Sequence, residues 1–172
     1  IFPSGTLSEK GKGSNINEMY DLHNAGVAAF HDNKSTLSPG LLLRALLYCK
    51  DFGGKVIAWS QENEMFVSGV ANEGKTSTSL GLSGLPALAE EIAVQRNVSL
   101  AKYADSPLHI TGVSTSKSVD IIRRAKKEKI AVTCSVFAYN LSMKDDLLEN
   151  YDTNLKVLPP LRSSKDVKAL IK

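Results

Sequence analysis

Four short apolar runs, VAAF (27–30), KVIAW (55–59), LHIT (108–111) and IAVTCSVF (130–137), alternate with segments of helical periodicity. Runs of this length, bounded by turn residues, predict β-strands. The pattern between them predicts helices over Asn15–Asn24, 41–52, Pro86 to Tyr103, 115–128 and Ser164 to Ile171. Ser38 and Pro39 supply a cap and a first-turn proline for the apolar helix LLLRALLYCKDF (41–52), and Gly53-Gly54 stops it. The segment 115–128 opens on Ser and Thr and closes on Lys and Arg, which suits the helix dipole. The stretch 72–84, rich in Gly, Ser and Thr, reads as a loop.

The resulting order is β-α-β-α-β-α-β. The strands are apolar almost throughout, as expected of parallel strands covered on both faces. Two α/β architectures fit: an open doubly wound sheet, or part of a (β/α)8 TIM-type barrel. No GxGxxG follows a strand, so the dinucleotide-binding version loses support. A whole barrel takes roughly 250 residues. A chain of 172 residues supplies only part of one. No internal repeat or linker divides it, so residues 1–172 are expected to be one portion of a single domain. The chain opens on Ile1 and closes on Lys172 inside a helical pattern, and is expected to be a piece of something longer.

Composition narrows the classes. A hydrophobic content of 42% and a charged content of 23% fit a globular domain. The net charge is only +3. The basic run Arg123-Arg124-Ala125-Lys126-Lys127 reads as the wet face of a helix, and no aromatic platform accompanies it, so nucleic acid is not an expected partner. No apolar stretch reaches the length of a membrane span, and no signal peptide is visible. Cys49 and Cys134 lie far apart in apolar segments, which predicts buried free thiols, a reducing compartment and a cytoplasmic protein.

Parallel barrels place reacting groups at the C-terminal ends of their strands. The candidates are therefore His31 and Asp32 after the first run, and Ser60, Gln61 and Glu62 after the second. His109, Thr111 and Ser114 lie in and after the third, Tyr139 and Asn140 after the fourth. A metal hydrolase needs histidines and carboxylates converging here, and too few are present. His31 reads as a loop histidine bonded to backbone, His109 as a satisfied core histidine, and His23 as exposed. Glu90-Glu91 read as solvated or paired on a helix flank. There is no GxSxG elbow, and neither cysteine stands at a telling spacing from a histidine.

The runs and their surroundings resemble the dihydroorotase branch of the amidohydrolase superfamily. The segments that carry the likeness are FPSGTLSEKGKG (2–13), EMYDLHNAGVAAFHDN (18–33), NEG (72–74), LGLSGLPALAEE (80–91), LHITGVSTSKSVDIIRRAK (108–126) and YDTNLKVLPPLRS (151–163), in that order. The resemblance implies a TIM barrel and hydrolysis or closure of a cyclic amide in pyrimidine biosynthesis. It also implies zinc in active members, acting as Lewis acid and source of hydroxide.

Carried over position by position, Asp32 matches the metal-ligating carboxylate and is retained. Ser60 and Gly112 stand where metal histidines are expected. Tyr139-Asn140 replace a His-His pair, and Leu158 replaces a substrate-binding asparagine. Arg162 is retained as a substrate-binding position. An early His-x-His pair and a late Asp of the family have no counterpart in this sequence. The expectation is a catalytically silent relative, a pseudoenzyme with its metal site lost and no catalytic residue or cofactor of its own. The resemblance further suggests a structural partnership with aspartate transcarbamoylase, and open sheet edges suggest self-association. The alternative is an active metal-dependent dihydroorotase or related cyclic amidohydrolase that relies on residues outside this chain.

Overall fold

The computed structural model describes residues 1–33, 35–65 and 68–172. Its main sheet has five strands: β1 (Ser4–Gly5), β2 (Ala29–Phe30), β3 (Val56–Trp59), β6 (Leu108–Thr111) and β7 (Val132–Cys134), in the order β1-β2-β3-β6-β7. All four pairings are parallel, with Phe30 opposite Val56, Val56 opposite Leu108, and Leu108 opposite Val132. The four expected strands are thus present and parallel. Strand β1, two residues long and without an apolar run, carries no sequence signal.

Helices α1 (Met19–Asn24), α2 (Pro39–Phe52), α4 (Ala87–Ala104), α5 (Ser116–Lys127) and α7 (Ser164–Ile171) occupy the predicted segments. Their ends follow local chemistry. The Ser38 hydroxyl accepts from the Leu41 N–H at 3.2 Å, and Gly53 ends α2 in the left-handed region at φ 71°. The Thr115 hydroxyl accepts from the Ser118 N–H at 3.2 Å, while Arg124, Lys126 and Lys127 sit on the last turn of α5.

Three segments differ from expectation. Helix α1 begins at Met19, not Asn15, because the residues before it are bound elsewhere. Ile16 bridges Ser8 in antiparallel fashion, and the Asn17 amide donates to the Thr6 hydroxyl at 2.9 Å. Strand β7 is three residues, not eight, and the chain turns after it into the short helix α6 (Ala138–Ser142). The expected loop 72–84 holds structure: strands β4 (Ala71–Asn72) and β5 (Gly84–Leu85) pair in parallel around helix α3 (Lys75–Ser79). Hydroxyl groups build that turn. Ser77 Oγ accepts from the Gly74 N–H at 3.0 Å and donates back to the Gly74 carbonyl at 3.0 Å, replacing the helix propensity the sequence lacks.

The core lies on one face of the main sheet. Phe30, Val56, Ala58, Leu108, Ile110 and Val132 are buried against Leu42, Ala45, Leu46 and Cys49 of α2, Val94, Val98 and Ala101 of α4, and Ile121 and Ile122 of α5. Each large side chain buried this way stabilises the fold by roughly 1.5–3 kcal/mol. The alternate positions Ile57, His109 and Thr111 are only half-buried, and Thr133 is exposed. Cover on both faces, expected from the apolar runs, is therefore not what the described residues provide: α2, α4 and α5 pack on one side only. Among the described residues no helix is long and apolar enough to cross a membrane.

Candidate functional site

Because the strands are parallel and adjacent, their C-terminal ends bring the expected site positions to one edge of the sheet. Asp32 follows β2, Ser60 follows β3, Gly112 follows β6, and Tyr139 and Asn140 lie in α6 just beyond β7.

Asp32 is buried and turned toward the chain after β1. Its Oδ1 accepts from the backbone N–H groups of Leu7 at 2.8 Å and Ser8 at 3.0 Å, and its Oδ2 accepts from the Ser8 hydroxyl. The Ser8 hydroxyl in turn accepts from the Gly13 N–H at 2.7 Å. The carboxylate thus pins the loop 6–13 to the end of β2. The neighbouring His31 accepts the Asn33 N–H on Nδ1 at 2.9 Å, which leaves Nε2 to donate to Ser4 Oγ at 3.0 Å. Both ring nitrogens are engaged, one of them by backbone, as expected.

Helix α4 holds the end of β3. The Asn97 amide donates to the buried Ser60 hydroxyl at 3.2 Å, and Arg96 pairs with Glu62. Gln61 is buried; its carbonyl accepts from Thr36, and its Nε2 finds no protein partner among the described residues. After β6, Gly112 adopts φ +77°, where a side chain is strained. A Cβ added there would meet the Trp59 ring at 2.4 Å. Trp59, itself buried, lies against Phe137, with centroids 6.3 Å apart, and Phe137 stacks on Tyr139 at 5.5 Å.

The Tyr139 hydroxyl donates to the Leu158 carbonyl at 2.8 Å, and burial pushes its pKa up to about 12. It is a neutral donor that ties α6 to the segment before α7. Asn140 donates to the Pro160 carbonyl at 3.1 Å, and its Oδ1 has no protein partner among the described residues. Leu158 lines a cavity of about 450 Å³ with Val70, Leu85, Tyr139 and Lys156. Positions 139 and 158 therefore line one cavity, mostly apolar, with Lys156 as its one charged side chain among the described lining residues.

Sequence reasoning did not anticipate a buried polar network at this edge. Glu90 is paired, one of the two states expected for it, and it is fully buried. It accepts from the backbone N–H groups of Ser114 at 2.9 Å and Thr115 at 3.0 Å, and from both of their hydroxyls. Its charge lies at the N-terminus of α5, where the helix dipole favours it. Arg162 completes the network, donating to Ser114 Oγ at 2.9 Å, Asn72 Oδ1 at 2.8 Å and Glu90 Oε2 at 3.4 Å. The guanidinium is enclosed by these acceptors. Glu91, beside it, is paired with Lys117 at 2.9 Å. No local pattern announces this network, since Glu90 meets partners 24 and 72 residues away.

His109 on the half-open face contacts Thr133 Oγ1 at 2.8 Å and Ser135 Oγ at 3.1 Å, and burial lowers its pKa. It is satisfied, as expected, but only half-buried. His23 is half-buried too, resting on Phe52 with centroids 5.0 Å apart. Among the described residues no three His, Cys, Asp or Glu side chains gather as a metal-binding group.

No protein-family model matches the chain. Curated relatives do. A dihydroorotase from Geotalea daltonii is 44% identical over 171 residues, covering 99% of this chain and 40% of the relative. One from Caldanaerobacter subterraneus is 41% identical over 172 residues, with the same coverage of each chain. The chain therefore spans about 40% of the length of the relatives it matches. Among solved structures, a D-hydantoinase from Thermus sp. superposes with a TM-score of 0.72 at 14% identity, over 98% of this chain and 38% of that one. An L-hydantoinase from Arthrobacter aurescens gives 0.71 at 24% identity, over 89% and 36%. The parallel sheet with its outer helices is thus part of a (β/α)8 TIM-type barrel, the second of the two architectures the strand order allowed.

Proposed function

We propose, for a chain that belongs to the dihydroorotase family of the amidohydrolase superfamily, that its protein keeps the framework of a cyclic-amide hydrolase of pyrimidine biosynthesis without the chemistry. Residues 1–172 are read as the central portion of one barrel domain. The observation that carries the proposal is the state of the three strand-end positions. The Asp32 carboxylate already accepts three hydrogen bonds, Ser60 offers a hydroxyl that ionises poorly and is bonded to Asn97, and Gly112 offers no side chain. A zinc site takes His, Cys or carboxylate donors converging on one point. This donor set does not fit zinc, and no step of a hydrolysis is derived through it.

The substrate positions support the same reading. Tyr139 is a neutral donor committed to the Leu158 carbonyl, and Leu158 presents no polar group to a pyrimidine ring. Arg162 serves the buried network with Glu90, so its guanidinium stabilises the fold. A framework of this kind suits a structural role in the cytoplasm. Aspartate transcarbamoylase is the partner proposed by family analogy, and self-association through the open sheet edges is proposed beside it.

The test is a hydrolysis assay of the purified full-length protein with added zinc, beside an active dihydroorotase. The expected result is no turnover of dihydroorotate above background and no stoichiometric zinc by elemental analysis. Turnover comparable to the active enzyme would instead establish the alternative, an active hydrolase that draws its metal ligands from outside this chain.

A further inference from the structure

We infer that Trp59 is the residue that holds position 112 to glycine: its ring occupies the space any side chain at 112 would need, so the end of β6 is closed by packing as well as by missing ligands. This rests on the reading that the strand-end site is silent, and it names the residue that keeps it so. The contact is specific. A Cβ built on Gly112 falls 2.4 Å from one Trp59 ring carbon and within 3.1 Å of two more. Real Cβ atoms do not approach so closely, and a rigid indole has no flexible end to swing aside. Nor is there open room for it: Trp59 is buried, with Phe137 on its flank and Tyr139 stacked on Phe137 beyond.

Strand register explains the meeting. Trp59 is paired with Thr111 across β3 and β6, so the ring reaches over the next backbone unit, Gly112. The same residue ends the strand that delivers Ser60. Returning a histidine at 112 meets the ring before it meets a metal, so Trp59 must shrink before any ligand or substrate-facing group can stand there.

The experiment is a double-mutant cycle in the full-length protein. Trp59 is the only tryptophan of this sequence, so where the remainder of the protein carries others they are first replaced by phenylalanine. Gly112→Ala and Gly112→His are each made in the native and the Trp59→Val backgrounds. The positive φ at 112 strains any side chain in both backgrounds, so only the difference between backgrounds reports the contact. Expected is a fall in Tm on Gly112→Ala of several degrees more in the native background than in the Trp59→Val background, where the smaller side chain leaves room. Expected too is a red shift of tryptophan emission in Gly112→His as the ring is driven toward water. Equal losses of Tm in the two backgrounds, or an unmoved emission maximum in a folded Gly112→His protein, would overturn the inference. Neither readout depends on turnover, so a result showing the protein to be an active hydrolase would leave this test intact.

Discussion

The Arg162 guanidinium lies 3.4 Å from the Glu90 carboxylate, and the two side chains are 1% and 2% exposed. One comes from the segment before α7, the other from the first turn of α4. Between them they take in Ser114, Thr115 and Asn72, so four separate stretches of chain meet at one buried ion pair. Breaking such a pair strands a charge. Arg162→Met is expected to cost about 3–5 kcal/mol of unfolding free energy, and Arg162→Met with Glu90→Leu to cost clearly less. Urea titrations of the single and double variants decide it; equal losses would show that the charge is not what binds these segments.

Asp32 is expected to act on stability, not on metal. Its carboxylate accepts two backbone N–H groups and a hydroxyl in a buried setting. Asp32→Ala leaves those donors unmet and is expected to cost on the order of 1–3 kcal/mol. Zinc content should be the same before and after. A variant of native stability that has lost bound zinc would return Asp32 to a ligand's role.

Stability should also carry a histidine slope. Burial lowers the pKa of His109 from its ordinary 6.5. The unfolded chain therefore binds this proton more readily than the folded one. The contribution is fully present above 6.5 and is lost as pH falls through the lowered native value. His109→Gln, which can keep a hydroxyl contact, should flatten the fall in Tm between neutral and mildly acid pH. An unchanged slope would assign it to other groups.

The two thiols should separate by reactivity. Burial pushes the Cys49 pKa up to about 12, and its Sγ packs 3.7 Å from the Met19 sulfur. Almost no thiolate forms there at neutral pH, whereas Cys134 is only half-buried. Pulse alkylation of the native protein, read by mass spectrometry, should mark Cys134 first and Cys49 only on unfolding. Early labelling of Cys49 would show that α2 opens locally.

The sequence was most readable where one local rule governs. Apolar runs at 56–59 and 108–111 became parallel strands, and Ser38, Gly53 and Thr115 bounded helices by their own hydrogen bonds or backbone freedom. The strand-end positions Asp32, Ser60 and Gly112 were also legible, since parallel pairing alone brings them to one edge. What stayed hidden depends on distant partners. Glu90 read as solvated or paired, and which of the two holds is decided by Ser114 and Arg162, far away in sequence. The β4–β5 pair escaped because each strand is two residues and its turn is held by hydroxyls. Trp59 read as the last residue of an apolar run; its hold on Gly112 is visible only in space.

The strand order has a consequence for synthesis. Of the pairings in the main sheet, β3 with β6 is the one that waits longest: Val56 must find Leu108, while the excursion carrying β4, α3, β5 and α4 is made in between. At translation rates of about 5–20 residues per second, one side of β3 stays without its neighbour for roughly 3–10 s. During that interval an apolar strand edge is open to pairing with other chains. Limited proteolysis of stalled chains of increasing length should show β3 becoming protected only after β6 has left the exit tunnel.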